Sequence, residues 1–312
     1  MLKQRQHPRV GAFLLMRLEL KSPCKVNLLL NILGKREDGF HELETIMQPV
    51  ALFDCLRFET RDAAGVELTC SDPALPADSA NLVHRAATAF QRAASVAGGV
   101  RIHLDKRIPL AAGLGGGSSN AAHTLLGLNE MFAHPLTAEQ LTVLGAMLGS
   151  DVPFFLQSSP ALASGRGEKI RMLKTFPALQ GAFIVLVYPG FGISTAWAYQ
   201  QLSRFPNALH GEPGRAERLA SLLEAGDLAK AAPEFYNALE GPALEKYPLL
   251  RILQEFIRGH GAPVTLMSGS GSTTFAIAPT QEAADELAEG VRAKFGEHCW
   301  VSTIPLQRGL EF

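Results

Sequence analysis

The chain has 312 residues, of which 47% are hydrophobic and 19% are charged, and this length accommodates two domains with their own cores. Its 29 Lys and Arg residues nearly balance 30 Asp and Glu residues, giving a formal net charge of −1 at pH 7. A near-neutral chain has no broad basic field for nucleic acid or an anionic membrane surface, so the sequence predicts neither as a partner. Any phosphate group must therefore be bound locally.

The four cysteines, at positions 24, 55, 70 and 299, form no CxxC or CxxH pair. Their spacing is typical neither of a zinc site nor of a disulfide framework, and it favours a reducing, cytoplasmic location. Residues 1–15 are basic and then briefly apolar, but the apolar run is shorter than a signal-peptide core. We interpret them as an irregular extension, with Met16 as an alternative start. No segment of the sequence approaches the length of a membrane span.

From Met16 to Thr60 the sequence favours β-strands, because apolar residues dominate "RLELKSP", "KVNLLLNIL" and "PVALFDCLRFET". "GKREDGFHEL" interrupts these strands with a turn signal at Asp38-Gly39. Next, "DSANLVHRAATAFQRAA" predicts a capped helix, and "VRIHLD" predicts a strand that leads into a glycine-rich segment. Another helix, "TAEQLTVLGAML", is predicted to end at Gly149. Between the glycines and that helix, one helical face is formed by Ala121, Leu125, Leu128 and Phe132.

The pattern changes near residue 170. "GAFIVLVYPG" predicts a buried strand, and a helical region follows at about 213–260. "PVTLMSGSGSTTFAIA" predicts strand, turn and strand, "TQEAADELAEGVRAKFG" a capped helix, and "CWVSTIPL" a closing strand. This order is typical of an α+β half whose sheet is covered on one face. We therefore predict an α+β protein with two domains, residues 1–172 and 173–312.

The segment "RIPLAAGLGGGSSNAAH", residues 107–123, carries the strongest functional signal. Glycines let backbone amides approach a phosphate closely, and the helix that follows contributes its positive N-terminal end. The segment is not a P-loop, because no lysine follows its last glycine, and its glycine spacing does not match the dinucleotide-binding fingerprint. The alternative is a flexible loop capped by two serines.

Three further segments carry polar residues in unusual places. Lys25 and Asn27 alternate on an apolar strand, so both point to one face; the alternative is an edge strand with a solvated face. Asp151 in "GSDVPFFL" lies between a helix and an apolar segment, where a carboxylate needs a partner unless it caps a helix. "MSGSGST" joins two strands, and the alternative to a functional role is a plain hairpin.

Together, "PCKVNLLLNI", "PLAAGLGGGSSNAA" and "LMSGSGSTTFA" resemble the three motifs of the GHMP kinases, in the same order. The resemblance covers the chain from about Arg17 onward. It implies a ribosomal-S5-domain-2-like N-terminal half and a ferredoxin-like C-terminal half, with the active site in the cleft between them. Ala111, Ala112 and the SGSG turn depart slightly from the family pattern, and none of these changes removes a reacting group.

The resemblance also implies a reaction, the transfer of the γ-phosphoryl group of ATP to a hydroxyl. Asp151 matches the family's general base, and Lys25 matches the lysine that keeps it ionised. Asn81 and Lys106 match positions near adenine. The ATP phosphates would contact Pro109, Leu110, Ala111, Ala112, Gly113, Leu114, Gly115, Gly116, Gly117, Ser118 and Ser119.

Three stretches narrow the resemblance further: "KREDGFHELETIMQ", "KRIPLAAGLGGGSSNAA" and "GSDVPFFL". The acceptor that the resemblance implies is methylerythritol linked to cytidine diphosphate, which would be phosphorylated to its 2-phosphate in isoprenoid precursor biosynthesis. Phe40 and His41 match an aromatic–histidine pair that binds cytosine, and Tyr199 is expected on the opposite face of the base. Asn27 would support the catalytic strand face. The turn residues expected to close over the reacting phosphates are Gly269, Ser270 and Gly271.

Several alternatives stay open. Another GHMP kinase, acting on mevalonate, homoserine or a sugar, would keep the loop and change the acceptor pocket. A non-catalytic descendant that senses ATP or a metabolite has no need of both Lys25 and Asp151. Mg²⁺ is expected with ATP, but no acidic cluster in the sequence must hold it, so no protein ligand is predicted beyond the option of Ser118. Since no heptad or interface stripe is visible, we expect a monomer or a weak homodimer.

Overall fold

The computed structural model describes residues 16–96 and 98–306, so the predicted extension at 1–15 lies outside the described residues. The described strands are β1 (Arg17–Lys35), β2 (His41–Arg61), β3 (Gly65–Cys70), β4 (Gly99–Asp105), β5 (Ala161–Gly165), β6 (Lys169–Met172), β7 (Phe183–Tyr188), β8 (Tyr236–Asn237), β9 (Val264–Met267), β10 (Thr274–Ala278) and β11 (Trp300–Pro305). The described α-helices are α1 (Leu82–Ala94), α2 (Gly116–Met131), α3 (Ala138–Leu148), α4 (Thr195–Gln201), α5 (Pro206–Leu209), α6 (Arg215–Glu224), α7 (Leu228–Ala231), α8 (Glu240–Lys246), α9 (Pro248–Gly259) and α10 (Gln281–Phe295).

The first sheet is built on a long antiparallel pair, β1 and β2. Its strand order is β3-β4-β2-β1-β8, and β5 pairs with the first part of β2 while β6 pairs with β5. The predicted interruption at "GKREDGFHEL" is too long, because β1 continues to Lys35 and β2 already begins at His41. A short turn remains, in which Gly39 has a φ of 86° and the Asp38 carboxylate accepts a hydrogen bond from the Phe40 amide at 3.1 Å.

The second sheet has the antiparallel order β11-β7-β10-β9. Successive side chains of a strand point to opposite faces, and in β7 this places Val185 and Val187 against α9 and α10, while Ile184 and Leu186 face a core shared with the first half of the chain. Helices therefore cover one face of this sheet, as predicted, and the other face is buried against the rest of the protein.

The chain crosses between the sheets more than once. β6 ends in the first sheet at Met172 and β7 opens the second sheet at Phe183, but β8 returns to the first sheet and pairs in parallel with β1. The register matches Leu29 with Tyr236 and Leu30 with Asn237. A boundary at 172/173 therefore assigns one strand of the first sheet to the second domain, and the boundary itself stays a prediction.

Helices α1 and α2 cover the first sheet beside the glycine-rich segment, and α3 packs against both helices. The predicted capping of α1 is confirmed, since the Asn81 side chain accepts from the Val83 amide, and α3 begins with a capping box of Thr137 and Gln140 that was not predicted. The predicted apolar face of α2 is confirmed for Ala121, Leu125 and Leu128, which are fully buried. Most other residues of α2 are buried as well, so the helix that follows the glycines is held firmly inside the molecule.

Burial of His123 on α2 makes part of the stability depend on pH. The ring is 1% exposed, its Nδ1 lies 3.0 Å from the Ser119 carbonyl oxygen, and burial lowers the pKa of His123 to about 4. The unfolded chain therefore binds this proton first, so the stabilisation is complete above pH 6.5 and is lost as the pH falls toward 4. We expect a loss of about 3 kcal/mol in the free energy of unfolding from this group.

Urea unfolding between pH 7.5 and pH 4 measures this loss, with His123→Gln as the comparison. The variant should show a shallower decline over this interval, because glutamine does not titrate. Parallel declines in the two proteins would contradict the assignment to His123.

Candidate active site

A large cleft opens where loops of the two halves meet, with a volume of ≈ 1220 Å³. This exceeds the roughly 300–1,000 Å³ of a pocket for one drug-sized ligand. One part of its wall is the segment 109–118 and another is the turn at 269–270. Lys25, Asp151 and His41 line the same cleft, so the three predicted motifs are brought together around one space large enough for two substrates.

The glycine-rich segment forms a loop that opens α2. Gly113 and Gly115 have φ values of 79° and 70°, in the left-handed region that favours glycine, and Ala111 also has a positive φ of 51°. Gly115 is the N-cap of α2 and supplies no side-chain capping bond. The first amides of a helix have no intrahelical partners, so this helix start offers backbone donors and a positive dipole end to an anion in the cleft.

Gly115→Ala tests the geometry of this loop. A Cβ at this position would lie 2.9 Å from Cζ of Phe155 and 3.1 Å from Cε of Lys25. We therefore expect the substitution to displace the loop and the lysine, raising the KM for ATP at least tenfold, as measured by steady-state kinetics.

Gly117→Ala provides the comparison, because a Cβ there would meet Leu82 Cδ1 at 3.6 Å, an ordinary contact, in a helical position. Its KM for ATP should change less than that of Gly115→Ala. Equal effects of the two substitutions would contradict the steric argument.

Lys25 and Asp151 form the charged centre of the cleft. The Lys25 Nζ lies 3.7 Å from Oδ2 of Asp151 and donates to the Asn27 Oδ1 at 2.6 Å and to the Gly113 carbonyl at 3.0 Å. Burial lowers the pKa of the Lys25 ammonium, and the Asp151 carboxylate opposes that change. Lys25 and Asn27 share one face, as predicted, but both are buried, so the edge-strand alternative is wrong. Asp151 is not a helix cap, because the N-cap of the short helix that follows, Pro153–Leu156, is Val152.

The turn between β9 and β10 is joined to the glycine loop. Ser268 Oγ donates to the Gly113 carbonyl at 3.0 Å, and the Thr273 amide donates to the Ala112 carbonyl at 3.2 Å. The side-chain amide of Asn237 donates to the carbonyls of Met267 and Gly269, each at 2.7 Å. The turn is thus a hairpin that is also hydrogen-bonded to the glycine loop of the N-terminal half.

Beneath the loop lies a buried polar cluster that sequence reasoning missed. Asp54 has no exposed surface, and its carboxylate accepts from the amides of Arg107 and Ile108 and from the side chains of Lys106 and Asn120 at 2.5–2.9 Å. Lys106 is therefore not an ordinary surface lysine, since its side chain is 4% exposed. The available signal was a carboxylate inside the apolar stretch "ALFDCLRF", which requires a buried partner.

Ser119 belongs to this cluster rather than to the cleft surface. It is fully buried, its hydroxyl accepts a hydrogen bond from Ser22 Oγ at 2.7 Å, and its amide donates to the Gly115 carbonyl. The expectation that Ser119 contacts phosphate therefore conflicts with its position, whereas the neighbouring Ser118 lines the cleft.

The other end of the cleft carries aromatic residues. The rings of His41 and Tyr199 lie 5.2 Å apart at an interplanar angle of 37°, and Phe40 is 53% exposed with the Arg166 guanidinium 4.6 Å above its ring. Burial, followed by the charge of Lys35, lowers the pKa of His41, which favours the neutral ring. Burial raises the pKa of Tyr199, so its phenol stays protonated. These groups offer flat apolar faces and hydrogen-bonding edges.

Most of the predicted site residues line this one cleft, and two do not. Ser119 lies in the buried cluster, and Gly271 lies within the turn but not on the cleft wall; its amide donates to the Ser268 carbonyl at 2.9 Å. Asn81 lines the cleft in addition to capping α1. The remaining predicted residues on the cleft wall are Lys25, Asn27, Phe40, His41, Lys106, Pro109, Leu110, Ala111, Ala112, Gly113, Leu114, Gly115, Gly116, Gly117, Ser118, Asp151, Tyr199, Gly269 and Ser270.

The fold and two family models define the class of this protein. Residues 81–159 match the model for the GHMP kinases N terminal domain, and residues 219–297 match the model for GHMP kinases C terminal. The chain belongs to the GHMP kinase family, and the predicted two-domain fold class is confirmed.

Within this family, curated relatives carry a particular name. A 4-diphosphocytidyl-2-C-methyl-D-erythritol kinase from Shouchella clausii is 39% identical over 277 residues, covering 89% of this chain and 91% of that protein. Another from Citrifermentans bemidjiense is 41% identical over 273 residues, covering 87% and 93%. A crystal structure of 4-(cytidine 5'-diphospho)-2C-methyl-D-erythritol kinase has a TM-score of 0.76 and 37% identity, covering 92% of this chain and 99% of that one.

A homoserine kinase from Cytophaga hutchinsonii shares the fold, with a TM-score of 0.73 at 19% identity, covering 99% of each chain. The part of the chain that the structure describes contains no helix long and apolar enough to span a membrane. It also contains no cluster of three or more His, Cys, Asp or Glu side chains suited to a metal ion.

Proposed function

We propose that this protein transfers the γ-phosphoryl group of ATP to a hydroxyl of 4-diphosphocytidyl-2-C-methyl-D-erythritol, giving the 2-phosphate and ADP in isoprenoid precursor biosynthesis. Relatives that carry this enzyme's name are about 40% identical over most of the chain, and this observation carries the proposal. The cleft supports it, because an anion-binding loop, a lysine–aspartate pair and an aromatic–histidine pair line one space. Mevalonate and homoserine contain no nucleobase, so neither acceptor would require His41 and Tyr199 for binding.

Asp151 is the proposed general base. Its carboxylate is partly exposed to the cleft and can accept the proton of the acceptor hydroxyl as that oxygen attacks phosphorus. The Lys25 Nζ lies 3.7 Å from the Asp151 carboxylate and is itself held by Asn27 and the Gly113 carbonyl, so its ammonium faces the reacting groups. Phosphoryl transfer depends mainly on positioning and charge stabilisation, so few reacting side chains suffice.

The glycine loop fits the triphosphate of ATP. Added Cβ atoms at Gly113 and Gly116 would contact the Ser268 carbonyl and the Lys106 ammonium, so the loop packs closely against the turn and Lys106 and has no room for larger residues at these positions. For Mg²⁺, which generally accompanies ATP in this family, we propose binding through phosphate oxygens and water, with the Ser118 hydroxyl facing the same space. The bound ion would neutralise charge on the phosphates.

ADP release by the purified protein tests the proposal. ATP and Mg²⁺ are supplied with 4-diphosphocytidyl-2-C-methyl-D-erythritol, mevalonate or homoserine in separate assays, and the product is identified by phosphorus NMR. We expect turnover with the cytidyl acceptor alone. Turnover with another acceptor would support a kinase activity but contradict the proposed substrate. If ATP binds but no ADP is released with any of the three acceptors, the result would favour the non-catalytic, ATP-sensing alternative.

A further inference from the structure

Four side chains with full positive charges line the cleft, and they differ in how they are paired. Lys25 lies beside Asp151 and Lys106 is bound to Asp54. The other two, Lys35 and Arg166, have no carboxylate oxygen within 4.0 Å anywhere in residues 16–96 and 98–306. Two cations without a salt bridge therefore face the cleft, and Arg166 interacts with the charges of Asp38 and Glu168 only at longer range.

The sheet places these two cations around the aromatic end of the cleft. Lys35, the last residue of β1, pairs with His41, the first residue of β2. Arg166 directly follows Gly165, which pairs with Leu43 on the other side of β2. The backbones of Lys35 and Arg166 are thus about two strand spacings, or about 10 Å, apart. Side chains of this length can reach a single anion between them from the two sides of His41.

The Arg166 main chain is fixed, while its side chain is held by one exposed contact. The residue lies at the tip of the β5–β6 hairpin between Gly165 and Gly167, and the Glu168 carboxylate accepts a hydrogen bond from its amide at 2.6 Å. Its guanidinium rests over the exposed Phe40 ring at 4.6 Å. The guanidinium is therefore presented at the rim of the cleft, and among the described residues no carboxylate oxygen lies within 4.0 Å of it.

The other cation of the same turn behaves differently. Arg36 follows Lys35 directly, but its guanidinium is bound by Asp38 at 3.2 Å and by Glu42 at 2.5 Å. Its charge is thereby neutralised by the protein itself. The absence of a carboxylate within 4.0 Å of Lys35 and Arg166, among the described residues, thus distinguishes them from their neighbour.

We propose that Arg166 and Lys35 form the subsite that binds the diphosphate of the nucleoside-diphosphate-linked acceptor. This inference rests on the proposed function and adds the groups that recognise the charged middle of that substrate. A diphosphate that links two alcohols carries two negative charges, which match the positive charges of Lys35 and Arg166. The ATP phosphates have separate donors in the glycine loop, so the two anionic groups in the cleft do not compete for the same residues.

The matched experiment compares Arg166→Gln, Lys35→Gln and the double variant with Lys169→Gln. Lys169 carries the same charge in the same hairpin but does not line the cleft. We expect the KM for the acceptor to rise about tenfold in each single variant and more in the double variant, with kcat and the KM for ATP within twofold of the parent protein. Lys169→Gln should behave like the parent.

Binding measurements distinguish recognition of the diphosphate charge from recognition of the cytidine. Calorimetric titration with cytidine diphosphate should show about tenfold weaker binding in the Arg166 and Lys35 variants, whereas titration with cytidine, which has no phosphate, should be unchanged. Added salt should weaken cytidine diphosphate binding more in the parent protein than in the double variant, because exposed charges are screened.

Other outcomes would overturn the inference. If the parent protein phosphorylates the acceptor and binds cytidine diphosphate, but the variants match Lys169→Gln, the subsite is wrong and the proposed function stands. Equal losses for cytidine and cytidine diphosphate would likewise exclude a phosphate subsite. If the parent protein neither turns over the acceptor nor binds cytidine diphosphate, both proposals are wrong.

Discussion

Asp151→Asn is expected to lower kcat by about 10²–10⁴-fold, the usual contribution of a positioned general base. Asparagine has nearly the same shape but cannot accept the proton of the acceptor hydroxyl. The KM for ATP should change little, because the loop and helix α2 that would bind the phosphates do not involve this side chain. Steady-state kinetics with the cytidyl acceptor provides the measurement.

Thermal unfolding is the control for this prediction. The Asp151 side chain is 41% exposed, but that of its partner Lys25 is only 4% exposed, so the substitution removes the counter-charge of a buried ammonium. Asn27 and the Gly113 carbonyl still accept hydrogen bonds from that ammonium, so the variant should be less stable than the parent protein but remain folded in the assay. A kcat within tenfold of the parent value would contradict the role of Asp151 as the general base. If the variant is unfolded at the assay temperature, its low kcat would reflect the loss of folded protein rather than the loss of the base.

Asp54→Asn is expected to reduce the free energy of unfolding by about 3–5 kcal/mol, because it leaves the buried Lys106 ammonium without its counter-charge. The two side chains are 0% and 4% exposed, and their closest atoms are 2.5 Å apart. The same carboxylate fixes the amides of Arg107 and Ile108 at the entry to the glycine loop. We therefore also expect the KM for ATP to rise at least tenfold. Urea unfolding and steady-state kinetics measure the two effects.

Two further variants separate the mechanisms. Asp54→Asn combined with Lys106→Met removes both charges, so it should recover much of the lost stability relative to Asp54→Asn alone. Asp105→Asn removes a carboxylate whose partner Arg107 has a side chain that is 66% exposed, and it should cost no more than about 1 kcal/mol. Similar costs for Asp54→Asn and Asp105→Asn would refute the buried-pair argument.

Local patterns in the sequence predicted much of the site. The two-residue period of a strand placed Lys25 and Asn27 on one face, and their side chains are in contact at 2.6 Å. Glycine density before an apolar helical repeat predicted the loop at the start of α2. These features depend on residues that are close together in the chain, which is why a single sequence reveals them.

Features that depend on distant pairing were not predictable in this way. The partner of Ser119 is Ser22, 97 positions away, and Asn120 reaches Asp54 across 66 positions. No periodicity links such residues, so Ser119 was assigned to the phosphate rather than to the buried cluster. The two-residue strand β8 is likewise too short to leave a pattern, and its pairing with β1 depends on the whole fold.

The position of β8 late in the chain affects how the protein folds while it is being synthesised. During synthesis, the outer edge of β1 near Leu29 and Leu30 emerges from the ribosome about 200 residues before Tyr236 and Asn237 cover it, a delay of about 10–40 s at 5–20 residues per second. Throughout that interval an apolar strand edge is open to pairing with other chains. The nascent protein therefore passes through a stage at which it is most prone to aggregate, and that stage ends when residues of the C-terminal half complete the sheet of the N-terminal half.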